Sequence, residues 1–133
     1  MNKYISVVRA NIGDGVELML DVNKVKTTRQ ALDASIEKWE TLVKLFELGV
    51  SLPIDEGGAD SCGLCTLYFS YENGDCKKCP IFKKTGFVEC RKTPYREYAD
   101  EKHDHCRPAI LLKHAKRELT FLQSLKSKKV NHG

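Results

Sequence analysis

Residues 62–79 read CGLCTLYFSYENGDCKKC, two Cys-x-x-Cys pairs with ten residues between them. Few arrangements constrain a short chain so strongly. A metal knuckle needs two thiolates converging on one ion, with each sulfur about 2.3 Å from it, and two intervening residues let a tight turn aim both sulfurs the same way. Cys62-Gly63-Leu64-Cys65 and Cys76-Lys77-Lys78-Cys79 both meet that demand. Between them Thr66 to Tyr71 is β-prone and Asn73-Gly74 is a strong hairpin turn, which would return the second pair beside the first. Spacing, turn and strand residues agree on a shortened zinc ribbon. Lys77 and Lys78 favour thiolate over thiol and offset the negative charge of a four-thiolate zinc site.

Zinc is the favoured ion because an all-sulfur tetrahedral site suits it without redox machinery. An iron–sulfur cluster is the competitor: Cys79 is followed by Pro80, as in ferredoxin runs, although the rest of that spacing is missing. The thiols could also form disulfides. The metal reading is preferred because MNKYISVVRANIGDG contains no uninterrupted apolar stretch of a secretory signal, which suggests a reducing cytosol. A mature secreted fragment would lack one too. Cys62, Cys65, Cys76 and Cys79 rank first as ligands. Cys90 follows Cys79 after ten residues, repeating the earlier gap, and is the reserve: it replaces Cys76 as fourth ligand or is a buried structural thiol. Cys106, in His103-Asp104-His105-Cys106, is a further ligand candidate or part of a solvated turn.

The metal matters energetically because the chain is short, 133 residues, and the hairpin and helices expected below make a thin core. Structural zinc contributes about 10–16 kcal/mol in small fingers, comparable to a domain's whole stability of about 5–15 kcal/mol. The composition, 41% hydrophobic and 30% charged, belongs to a folded chain rather than a disordered one. No apolar run reaches the roughly 18 residues of a membrane span.

The remaining elements follow from periodicity. Residues 4–12 are β-rich, Gly13-Asp14-Gly15 is a turn signal, and Val16, Leu18, Leu20 and Val22 alternate with Glu17, Met19 and Asp21. That predicts a β-hairpin within residues 1–26, which must dock on something because an isolated hairpin is marginal in water. Thr27-Thr28-Arg29-Gln30 is a capping box, and Leu32, Ile36, Trp39, Val43 and Phe46 recur at steps of four and three. A helix over 27–49 follows, capped by Gly49, with Lys38, Glu40 and Lys44 off its apolar face and Trp39 and Phe46 in the core. Pro53 and residues 55–60 read as a linker to the cysteine region at 61–95. Thr93-Pro94 starts a short helix to about Lys102. Pro108 opens a last helix over 108–127, with an apolar stripe of Leu112, Ala115, Leu119, Leu122 and Leu125, and 128–133 is a loose basic tail. The expected architecture is one metal-stabilised α+β domain over 1–127: an N-terminal hairpin, two or three helices and a zinc-ribbon-like cysteine segment.

The net charge of +4 is unevenly placed. Residues 1–61 carry seven Lys or Arg against ten Asp or Glu. Lys77, Lys78, Lys83, Lys84, Arg91, Lys92 and Arg96 face a single acid, Glu89, within 76–96, and residues 113–133 carry six basic side chains against Glu118. A basic cluster beside a metal site is an electrostatic footprint for nucleic acid or an acidic protein surface, and the plainer alternative is solubility. Tyr68, Phe69, Tyr71, Phe82, Phe87 and Tyr95 accompany the charges and could stack on bases or pack around the metal site.

The string C-G-L-C, C-K-K-C-P, G-F-V-E-C and T-P-Y, preceded by I-E-K-W and followed by a Leu-rich helix, resembles a family of small uncharacterised cysteine-rich proteins of tailed bacteriophages. The resemblance spans residues 28–125 and rests most on Cys62, Cys65, Cys79 and Cys90. It implies a phage origin and a role in the cytoplasm of a bacterial host, and it supplies no activity. His103-Asp104-His105 also resembles part of the HNH-type endonuclease motif, but in those enzymes the histidines lie between the knuckles, whereas here they follow both. No nucleotide-binding glycine loop or nucleophile elbow occurs. The sequence therefore reads as a non-catalytic, zinc-stabilised binding protein, with an HNH-like nuclease or an iron–sulfur redox protein as alternatives.

Overall fold

The computed structural model describes residues 3–9, 15–49, 54–56, 94–104 and 107–131. They form an α+β architecture of three strands and three helices. β1 (Ile5–Arg9) and β2 (Val16–Leu20) pair antiparallel, with Ile5 opposite Leu20, Val7 opposite Leu18 and Arg9 opposite Val16. This is the expected hairpin. Its period-two face holds for Val16, Leu18 and Leu20, which turn toward the core. It fails at Val22, which was expected inward. Val22 opens a single 3-10 turn (Val22–Lys24) and is exposed, because the strand has already ended.

The sequence missed a third strand. β3 (Ile54–Asp55) runs parallel to β2, with Ile54 opposite Val16, inside the stretch expected as linker. Two residues are too few to show an alternation. The sheet order is β1-β2-β3.

Helix α1 (Thr28–Glu47) begins at the anticipated capping box: Gln30 N–H donates to Thr27 Oγ1 at 3.1 Å, and Gln30 Oε1 accepts from Thr27 N–H at 3.1 Å. It ends as expected at Gly49, whose φ of 76° lies in the left-handed region that a glycine adopts without steric cost. Leu32, Ile36 and Trp39 are buried, and Val43 and Phe46 pack against the core. The buried surface is wider than that stripe, because the sheet and the last helix both contact α1 and small residues such as Ala31, Ala34 and Ser35 let them approach. Lys38, expected off the apolar face, lies within this wider surface.

Helix α2 (Pro94–Asp104) starts at Pro94 as expected and runs slightly past Lys102. Helix α3 (Pro108–Asn131) starts at Pro108 and continues beyond residue 127, where a loose tail was expected. It packs along α1 and α2. Its most buried line is Leu111, Ala115, Glu118, Leu122 and Leu125, so the stripe is centred one residue from the expected one at Leu111 and Glu118. Leu112 and Leu119 sit at its margin. The choice between adjacent leucines was made by the seam between α1 and α2, which periodicity alone does not register. The core was expected to be thin. Among the described residues it is continuous from Tyr4 to Leu125 and draws on the hairpin, β3 and all three helices.

Candidate functional site

The described residues on either side of the cysteine-rich stretch meet at one buried point. Lys38, midway along α1, is only 2% exposed, and its Nζ lies 2.5 Å from Glu56 Oε2. Glu56 directly follows β3, whose pairing with β2 delivers it to α1. The other carboxylate oxygen of Glu56 accepts a hydrogen bond from Tyr95 Oη at 3.3 Å. Tyr95 lies in the first turn of α2. Residues 39 positions apart in sequence are thus joined side chain to side chain.

Aromatic rings wall this cluster. Trp39 receives Tyr95 edge-on with ring centroids 5.7 Å apart, and Tyr98 likewise at 5.0 Å. The Lys38 ammonium lies 5.6 Å from the Trp39 ring centroid, within cation–π range. A buried lysine and glutamate each lose hydration, and their mutual attraction with added hydrogen bonds offsets that loss only in good geometry. The arrangement positions Glu56, just after β3, against α1 and the first turn of α2.

A second polar group locks α2 to α3. Arg107 donates from Nε and Nη2 to the two Glu101 oxygens at 2.8 and 2.9 Å, and its backbone N–H donates to Oε2 at 3.1 Å. The Arg107 guanidinium is held above its ordinary pKa by the Glu101 hydrogen bonds, which outweigh the opposing desolvation, with that carboxylate's charge adding a lesser push upward. Arg117 pairs with Glu97 at 2.7 Å and Lys116 with Glu47 at 3.4 Å. Part of the basic excess after residue 113 is therefore matched by acids of α1 and α2.

Cys62, Cys65, Cys76, Cys79 and Cys90 lie outside the described residues, as do Lys77, Lys78, Lys83, Lys84, Arg91, Lys92, His105 and Cys106. Tyr68, Phe69, Tyr71, Phe82 and Phe87 do too. Among the described residues no group of three or more His, Cys, Asp or Glu could hold a metal ion. Arg96 is described: it is exposed on α2, with Nε 3.5 Å from Asp100 one turn on. His103 is exposed near the end of the same helix. Tyr95 is committed to Trp39 and Glu56, so its ring packs.

Sequence reasoning missed the Lys38–Glu56–Tyr95 junction. The one available signal was a lysine immediately before Trp39 in a helix whose buried surface proved wide. It also missed Glu37. One Glu37 oxygen accepts from Lys3 N–H at 2.8 Å, and the other from Tyr4 and Ile5 N–H at 2.7 and 2.6 Å. That carboxylate ties the start of β1 to α1.

Among the described residues, no helix is long and apolar enough to cross a membrane. No family model, curated protein or solved structure matches the chain.

Proposed function

We propose that this chain is a non-catalytic, zinc-stabilised binding protein that engages a polyanionic partner, the phosphate backbone of nucleic acid, through the basic residues around its cysteine pairs. The observation that carries the reading is the pair of Cys-x-x-Cys motifs with a hairpin signal between them, in a segment whose flanks are held together at Lys38. One ion gripped by Cys62, Cys65, Cys79 and either Cys76 or Cys90 would order this segment in a zinc-ribbon-like arrangement. Lys77, Lys78, Lys83, Lys84, Arg91, Lys92 and Arg96 then contact phosphates without reading sequence. The resemblance to small cysteine-rich phage proteins supports action in the cytoplasm of an infected bacterium.

Elemental analysis of the pure full-length chain tests the metal: one zinc per chain is expected. A brown, iron-containing sample assigns the thiols to an iron–sulfur cluster, and a metal-free but ordered protein overturns the reading. Cys62→Ser and Cys79→Ser should release the metal and unfold the cysteine segment. Binding of single- and double-stranded DNA across a salt series tests the partner, with affinity expected to fall steeply as salt rises. No binding at low salt would replace nucleic acid by an acidic protein surface. Magnesium-dependent cleavage lost in His105→Ala would replace binding by nuclease chemistry.

A further inference from the structure

β3 meets β2 through only two residues, with Ile54 opposite Val16 and Asp55 opposite Glu17. So short a ladder specifies its own register weakly. Burial excludes a shift by one residue, which would turn Ile54 out of the core and Asp55 into it. A shift by two keeps the faces. Leu52 stands two residues before Ile54, so moving the strand forward by two would set Leu52 opposite Val16 and give the core one branched aliphatic side chain in place of another. Pro53 would not prevent this, because the outermost strand of a sheet accommodates a proline whose nitrogen faces away from the neighbouring strand. Apolar burial therefore does not choose between the two registers.

Charge does. In the observed register Glu56 lies against Lys38 Nζ with both side chains buried, and its other oxygen accepts from Tyr95 Oη. In the forward-shifted register Ile54 would take the place of Glu56. The Lys38 ammonium, 2% exposed, would then face an aliphatic side chain where it now meets a carboxylate, and removing the partner of a buried charge is strongly unfavourable. The opposite shift would set Glu56 opposite Val16, among the core residues, and bring Gly58 to the place of Glu56. We propose that Lys38 is a positioning residue that fixes the register of β3 on β2, and with it the point from which the chain sets out toward Cys62, six residues after Glu56. A two-residue shift would displace that point by about 6–7 Å along the sheet. Stability and register are separable here. Replacing a buried ion pair by apolar side chains of similar volume is often neutral for stability, whereas it removes what distinguishes the two registers.

Nuclear Overhauser contacts between β2 and β3, measured on the isotopically labelled full chain, read the register directly. The parent should show Val16 against Ile54 and Glu17 against Asp55 in a single set of signals. Lys38→Met/Glu56→Leu should still unfold cooperatively yet show two sets of β2 signals, with Val16 meeting Ile54 in one and Leu52 in the other. Moving the acid should move the strand. Ile54→Glu/Glu56→Ile, with Lys38 retained, is expected to fold with Val16 against Leu52, a shift of two residues that an ion pair of purely local effect would not produce. The exchanged variant decides the matter should Lys38→Met/Glu56→Leu not fold. A folded Lys38→Met/Glu56→Leu protein in the parental register alone overturns the proposal. An exchanged variant that fails to fold, or that keeps residue 54 opposite Val16, overturns it as well.

Discussion

At Trp39 the chain is enclosed. Two tyrosine rings meet the indole edge-on, a lysine ammonium lies over it, and α3 closes the far side of α1. At Val7 the chain is partly exposed, on a strand that lies at the edge of the described sheet. The helical layer is held mainly by apolar burial, which is non-directional and grows with area. The sheet is narrow: Ile5, Leu18 and Ile54 reach the shared core, and the start of its first strand is further tied to α1 by three backbone N–H groups, of Lys3, Tyr4 and Ile5, donating to one carboxylate, Glu37. The contrast teaches that the two layers should fail differently: the helices through lost volume, the sheet through a lost charge.

The largest effect is expected in the helical layer. Trp39→Ala removes the surface against which Tyr95 and Tyr98 pack and should cost about 3–5 kcal/mol, read by denaturant unfolding at fixed metal concentration. A loss under about 1 kcal/mol would mean that the layer does not depend on that contact.

Lys38→Met should cost nearly as much, about 3–5 kcal/mol, because it strands the buried Glu56 carboxylate. The double variant Lys38→Met/Glu56→Gln keeps an acceptor for Tyr95 and should recover most of the loss. If it does not, the ion pair contributes to stability as well as to the register of β3.

Glu37→Gln should cost about 1.5–3 kcal/mol, since hydrogen bonds to a charged group are stronger than neutral ones. The loss should be local. Amides of Lys3, Tyr4 and Ile5 should exchange faster while Trp39 fluorescence stays unchanged, and a matching change at Trp39 would erase the distinction between the layers.

Thr27→Ala removes one half of the capping box and should cost about 1 kcal/mol by the same unfolding measurement, without altering exchange in β1. A loss comparable to that of Trp39→Ala would show that the start of α1 carries more than its cap.

Local chemistry explains what was legible. Thr27 and Gln30 are three residues apart, Gly49 follows the last turn of α1, and Pro94 and Pro108 open their helices; each signal lies within the element it bounds. The alternation through Val16, Leu18 and Leu20 likewise names its own inward face. β3 was not legible, because Ile54 and Asp55 become a strand only by lying along β2. The shift of the α3 stripe from Leu112 to Leu111 has the same origin: both leucines satisfy the period, and the neighbouring helices select between them. For the candidate site, cysteine spacing and charge were plain in the sequence, whereas the junction that frames the segment was not.

Residue order alone settled the α+β class, the hairpin register face, the ends of α1 and the starts of α2 and α3, since each depends on residues within a few positions of one another. The burial of Lys38, its pairing with Glu56, the Tyr95 hydrogen bond to Glu56, the grip of Glu37 on the start of β1 and the exposure of Val7 arose only on assembly. A charged side chain enters a core, or an apolar one stays outside, according to what distant segments bring within reach, and no local pattern encodes that distance.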